Sequence, residues 1–274
     1  MQNKNKHESG QVFLIAVLIL VIGLTVGLSV ASRSVTNLKS SLEEENSQRA
    51  FAAAEAGVEK ALKGVKANDI SFGEANTKIK TVSIDEIKGT KVFLNNGAPI
   101  EANDGMDVWL SSDNKNILAT TQNNTLTFYW TGRNACDNPP PPALEVIVFA
   151  KSSTAPNPVA SQRYVYDPCR RVTATPDTNS SSGYSIQESN GALRTQSFQF
   201  KTDPIVVVDG YIARAIPLYS SSPIAVEATT ALPLQGNVIN STGTSGGTTR
   251  KITYFQGWPK IPNEIFQYVL FQPN

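Results

Sequence analysis

Chemistry near neutrality needs groups that give up, take up or share charge, and this sequence is poor in them. Its 274 residues contain one histidine (His7), two cysteines (Cys136 and Cys169), and 23 acids against 24 lysines and arginines. His7 sits in the polar N-terminal decapeptide, so any Ser-His pair, Cys-His pair or histidine metal site would depend on that one ring. GxSxG, GxGxxG, phosphate-loop and HExxH patterns are absent. Asp104, Asp107 and Asp113 offer the oxygen ligands that calcium takes, but their spacing matches no EF-hand loop, and solvated turn acids are the plainer reading. A glycosidase built on two distant carboxylates leaves no local mark in a sequence, so that class stays open. Arg163, Arg170 and Arg171 gather beside Cys169 and would suit DNA or an acidic surface. A net charge of +1 gives no wider nucleic-acid footprint, and a solvated loop is favoured. The expectation is a protein that is not an enzyme and has no cofactor and no metal.

The elements that hold these residues begin with an apolar run. Val12 to Ala31 is about twenty residues without a charge, and at 1.5 Å of rise each such a helix spans roughly 30 Å, the hydrocarbon thickness of a bilayer. A secretory signal cleaved at Ser29-Val30-Ala31 is one alternative, although its apolar region would be unusually long. Lys4 and Lys6 favour a cytoplasmic N-terminus, while Arg33 and Lys39 weaken that asymmetry. Residues 32 to 63 have no Pro and one Gly and are rich in Ala, Glu, Leu and Lys, so the helix is expected to continue to a stop near Gly64. Glu45 with Arg49, and Glu59 with Lys63, are acid-before-base pairs four apart that support an exposed helix. Two apolar stripes lie on nearly opposite faces. Val35, Leu38 and Leu42 are expected to be free, whereas Phe51, Ala54, Val58, Leu62 and Val65 are expected to dock on the domain's sheet, with the Phe51 ring buried.

A short basic leader ending in Gly, an adjoining membrane helix, an amphipathic extension and then strands together resemble a type IV pilin-like subunit. QRAFAAAEAGVEKAL, residues 48 to 62, is similar more narrowly to the PilX-type minor pilins. The resemblance covers residues 8 to 65. It implies a prepilin peptidase site at Gly10 and Gln11, removal of the leader with the apolar run retained, and assembly through the helix. Implied partners are other pilin-like subunits, prepilin peptidase, the pilus assembly platform in the membrane and membrane lipid. The implied location is the cytoplasmic membrane, single-pass with the C-terminal domain outside, and then the cell surface or pilus. Most major pilins carry Glu at the fifth processed residue, where this chain has Ile15, and the processed chain would begin with Gln11 in place of Phe or Met. Both departures speak against a shaft-building role. Gly23 and Gly27, a small-xxx-small pair, permit close approach of neighbouring helices, although they equally loosen the helix.

The expected architecture is α+β. A leader (1–10) precedes a transmembrane and amphipathic helix (11–66) and a predominantly antiparallel β-rich exterior domain (67–274). Strand patterns recur at 78–84, 91–94, 107–110, 126–130, 144–150, 163–166, 197–202, 205–219 and 250–255. Asp209-Gly210 makes the longest of these either a hairpin or a bulged strand. NPPPPA (138–143), 173–183 and 240–249 read as connectors and loops. Cys136 and Cys169 are expected to form a disulfide across the Pro-rich connector. On this topology both lie in an oxidising exterior, and closing about 33 residues contributes on the order of 3 to 4 kcal/mol. Three readings remain: a filament subunit, a surface-binding module on an uncleaved anchor, and an exported enzyme freed at Ala31.

Overall fold

The computed structural model of the chain describes residues 9–65, 68–73, 76–113, 116–132, 136, 140–153, 159–171, 184–187 and 194–260. Among the described residues one long α-helix, α1 (Ser9–Leu62, 54 residues), precedes twelve strands, with a short 3-10 turn at Leu94–Gly97. They are β1 (Ile70–Ser71), β2 (Lys78–Phe93), β3 (Met106–Trp109), β4 (Gln122–Trp130), β5 (Ala143–Lys151) and β6 (Val159–Tyr166). β7 (Tyr184–Gln187), β8 (Thr195–Phe198), β9 (Phe200–Lys201), β10 (Ile205–Leu218), β11 (Ile224–Ser245) and β12 (Thr248–Gly257) follow. The expected α+β layout, one long N-terminal helix and then a mostly antiparallel sheet, is what the chain forms. Two compact units divide it, residues 1–82 with 241–252, and residues 83–240 with 253–274.

The first unit is organised by α1. The helix closes where the sequence predicts: Gly64 adopts φ +75°, its N–H reaches Ala61 O at 2.9 Å, and the Val65 N–H reaches Lys60 O at 2.9 Å. That pair of bonds satisfies carbonyls otherwise left open at a helix end. β11 and β12 form a hairpin through Gly246 and Gly247, at φ +52° and +87°, a turn that only glycine or a few polar residues make cheaply. Residues 240–245 are therefore strand where the sequence reading expected loop. Alternating Ser, Thr and Gly carry little apolar signal, so this end of β11 is built by pairing and not by its own pattern.

The buried stripe of α1 is Ala50, Ala53, Ala54, Gly57, Val58 and Ala61, at helical spacing. Ala54 and Val58 lie where expected. Phe51 and Leu62 do not, being 48% and 44% exposed, and Val65 is 50% exposed. The reason is the closeness of the strand. A Cβ on Gly243 would overlap Ala50 O and stand 2.6 Å from Ala54 N, and one on Gly57 would overlap Ser241 Oγ. A backbone pressed on a backbone leaves no room for a ring, so alanines occupy the contact and Phe51 falls at its edge. Arg250 ties β12 to the helix by donating from Nε and Nη2 to Ser47 Oγ at 2.8 and 2.6 Å.

The second unit carries the main core. β4 pairs with β11 and β9, and β10 pairs with β4, β5 and β3, all antiparallel; β6 pairs with β5. β10 is a bulged strand and not a hairpin. Its register breaks between Val207 and Gly210, where Asp209 has φ +50°, and there its partner along one edge changes from β4 to β3. Leu126, Phe128 and Trp130 of β4 point into one cluster with Leu144, Val146, Ala213 and Val226. Tyr129 points the other way, where Tyr184, Ile186 and Phe198 of the β7–β8 hairpin pack with Phe93 and Ala225. Pro141 and Pro142 are buried, and the Trp130 indole donates to Pro142 O at 2.9 Å, so this part of the Pro run is a packed connector.

One charge lies wholly inside. Arg214 is 0% exposed, sits opposite Asp107 across β10 and β3, and donates to both carboxylate oxygens at 2.6 and 2.8 Å. Gly105 leaves space for its stem, since a Cβ there would be 2.7 Å from Arg214 Cδ. A buried pair need not add net stability, but removing one partner strands the other charge.

Two sets of variants follow. Gly243→Ala should destabilise the protein by about 1 to 3 kcal/mol or more through overpacking, whereas Phe51→Ala, at an exposed edge, should cost less than about 2 kcal/mol. Equal losses in denaturant unfolding would refute the assignment of the contact face. Asp107→Ala should cost about 3 to 5 kcal/mol, and unfolding indistinguishable from the parent would mean that the Arg214 charge is compensated elsewhere.

Candidate functional site

The feature that most needs a function is α1, because half of it touches nothing. No residue from Val12 to Glu45 is buried. In water an unbroken apolar helix face of this length is unfavourable, whereas a bilayer or other helices would accept it. The segment meets the further demand of such surroundings, internal satisfaction of polar groups. Its backbone is helical throughout, and Thr25 Oγ1 donates to Ile22 O at 2.9 Å. The chain thus has one N-terminal helix long and apolar enough to cross a membrane.

The sequence-predicted positions distribute along this helix as follows. The Gly10–Gln11 peptide bond falls in the first turn of α1, where backbone N–H groups have no intrahelical partner. Ile15 is 54% exposed, so no acid and no intrachain partner occupies that position. Cβ atoms built on Gly23 and Gly27 would meet nothing within 4 Å, which leaves the face they share open to close approach. Val35, Leu38 and Leu42 are 62%, 62% and 57% exposed, the free stripe that the spacing indicates. Of the two expected ion pairs, Glu45–Arg49 forms at 2.6 Å, and Glu59–Lys63 is not among the ion pairs of the described residues.

Beside the buried stripe runs a groove of about 630 Å³, lined on the helix by Arg49, Ala52, Ala53 and Ala56 and across from it by Phe72, Gly73 and Thr77. Among the described residues its walls are mostly apolar, and Arg49, the charged group among them, is held by Glu45. No spacing argument finds this groove, since its far wall comes from a loop after the helix.

The second unit uses its charged residues structurally. Cys136 and Cys169 form the expected disulfide, with Cα atoms 5.6 Å apart. Next to it, Asp167 accepts from the amides of Cys169 and Arg171 at 3.0 and 2.5 Å and from Arg171 Nη2 at 2.7 Å. Arg171 also donates to Pro141 O at 2.9 Å and stacks 4.0 Å above the Tyr219 ring. Burial pushes the Asp167 carboxyl up, but the hydrogen bonds from Arg171 and the two amides outweigh it and hold the group below the usual carboxylate value. Arg163 pairs with Glu145 across β6 and β5. Arg163 on β6 and Arg171 in the loop that follows it are thus engaged within the domain. Asp104 pairs with Lys260 at 2.7 Å and Asp107 with Arg214, so these two of the three spaced acids are held by cations. Among the described residues no group of three or more His, Cys, Asp or Glu is placed to hold a metal. The 173–183 loop lies outside the described residues.

Comparison with protein-family models, with curated proteins and with solved structures finds no match to this chain.

The Asp167 cluster gives a pH prediction. Its carboxyl titrates lower in the folded chain than its ordinary 3.8, so the stability it contributes is complete above that value and disappears as pH falls through the lower folded value. Asp167→Asn should lower stability at neutral pH by about 1.5 to 3 kcal/mol and flatten the acid limb of a stability-against-pH curve. An acid limb as steep as the parent's would assign the dependence to other carboxylates.

Proposed function

We propose that this chain is a structural minor subunit, a minor pilin or pseudopilin, of a type IV pilus-like filament, processed after Gly10 and assembled through its N-terminal helix. The observation that supports it is the continuity of α1, with an outer half that has no partner in its own chain and an inner half that grips the strands. A helix of this kind suits a subunit that waits in a bilayer and then passes its apolar half to neighbouring helices. The role is structural and not catalytic. After processing, the chain would retain no histidine.

In this role the partners are other pilin-like subunits, prepilin peptidase, the assembly platform and lipid. Removing the leader spares Lys4 and Lys6 a passage through hydrocarbon, where a charge is costly. Ile15 sets the place in the filament. In the family the acid at the fifth processed residue is thought to pair with a neighbour's N-terminal amine, and Ile15 cannot supply it. A sparse place among acid-bearing subunits, or one near the tip, fits this chain better than the bulk of a shaft.

The N-terminus of the cell-associated protein decides among the readings. The filament subunit should begin at Gln11, and replacing Gly10 with a bulky residue should leave a slower-migrating precursor in the membrane. A chain that begins near Met1, with migration unchanged by the Gly10 variant, would establish the simple anchor, and one that begins at Ser32 would establish a released exported protein.

A further inference from the structure

The pattern Asn-x-Ser/Thr occurs three times in the chain, at Asn123, Asn179 and Asn240. In a domain that leaves the cytoplasm this pattern accepts a glycan on the asparagine amide nitrogen. The folded chain must then leave that nitrogen room for a substituent, so the surroundings of each asparagine decide. Asn179 lies outside the described residues. Asn240 is engaged at both ends of its side chain: Nδ2 donates to Asp85 Oδ2 at 3.0 Å, and Oδ1 accepts from Thr253 Oγ1 at 2.9 Å.

Asn123 stands exposed near the start of β4, opposite the bulge of β10. Asp209, at φ +50° in that bulge, donates its N–H to Asn123 Oδ1 at 2.7 Å, which orients the side chain. Nδ2 has no hydrogen-bond partner among the described residues. The side chain is thus held by its oxygen alone, the atom that glycosylation leaves unchanged. Thr125, two residues on, shares its face of the strand, and its hydroxyl has no partner among the described residues either. On the neighbouring strand Val206 sits directly opposite Thr125 and is 65% exposed, and Val208 follows on the same face at 63%. Amide, hydroxyl and two bare valines therefore form one patch on the outer face of the sheet.

We propose that Asn123 is a glycosylation site whose donor is an oligosaccharide carried on a lipid diphosphate, with the first sugar lying over Val206 and Val208. Nδ2 attacks the anomeric carbon, a C–N bond forms, and the C–O bond to the diphosphate breaks with its electron pair leaving on the diphosphate. The proton lost from Nδ2 passes to a base of the membrane transferase. The product keeps its amide carbonyl, so the bond from Asp209 N–H survives. A sugar ring has an apolar C–H face and a rim of hydroxyls, so it removes the valines from water while its polar groups stay hydrated. This site goes beyond the filament reading and requires only that the β-rich domain lie outside, as it would in a subunit, a simple anchor or a released chain.

The test uses the full chain isolated from the cells that naturally make it. Trypsin releases residues 116–133 as one peptide, which contains Asn123 and neither of the other two patterns. Fragmentation in a mass spectrometer should place a sugar mass on Asn123 in some or all copies. Asn123→Gln and Thr125→Ala should each abolish it, whereas Thr125→Ser and Asn240→Gln should retain it. The variants should still accumulate with the Cys136–Cys169 bond formed, which separates loss of the acceptor from loss of folding. Unmodified Asn123 in every copy would overturn the proposal, as would a sugar mass confined to a threonine of the peptide or one that persists in Asn123→Gln. The N-terminus of the same preparation is read separately, so failure here leaves the filament reading standing.

Discussion

The close passage of the end of β11 across α1 is the constraint on which the first unit depends. Gly243 and Gly57 remove the side chains that would hold strand and helix apart, and the alanines between them complete a contact of backbone against backbone. Alanine buries little area, so the gain comes from many atoms at van der Waals distance, and it disappears quickly if one side chain wedges the surfaces apart. Because α1 is unbroken, the same contact also fixes the direction in which its outer half leaves the strands of this unit. Phe51 and Leu62 remain at the edge for the same reason.

In the second unit polar groups do work that would ordinarily fall to backbone ladders. The Gln235 side chain accepts from Trp109 N and donates to Trp109 O, both at 2.8 Å, and thereby ties β11 to β3, a strand whose backbone pairs with β10. Asn124 does the same for Thr230, accepting from its N–H at 3.1 Å and donating to its carbonyl at 2.8 Å. With Arg214 and Asp107 these groups penalise a slip in register more than an apolar core would, because each displaced partner would be left buried and unsatisfied. The β10 bulge, the Asp167 loop and the disulfide then set where β10 changes its partner and where the Pro-rich connector lies.

In the proposed role the scarcity of reactive side chains has a plain meaning. Many arginines and acids form ion pairs within the chain, and most of the exposed large apolar residues belong to the helix, with Val206 and Val208 of β10 among the exceptions. In that role the chain would meet its partners along the exposed part of α1.

Much of the architecture was legible in the sequence. The uncharged run, the helix-forming extension, the stop at Gly64 and most strand segments are local properties, readable because composition and period report which faces are apolar and which backbone conformations are cheap. The disulfide was legible because two cysteines allow one pairing. Tertiary structure decided what depends on distance. The strand at 240–245 has no apolar alternation and exists because its neighbours pair with it. The exchange of Phe51 for alanines at the helix contact follows from how near Gly243 comes, which helical period alone does not encode. Asp107 reads as a solvated turn acid until Arg214, more than a hundred residues away, is brought opposite it. The groove, likewise, exists only once Phe72 and Thr77 return beside α1, because its two walls belong to separate stretches of chain.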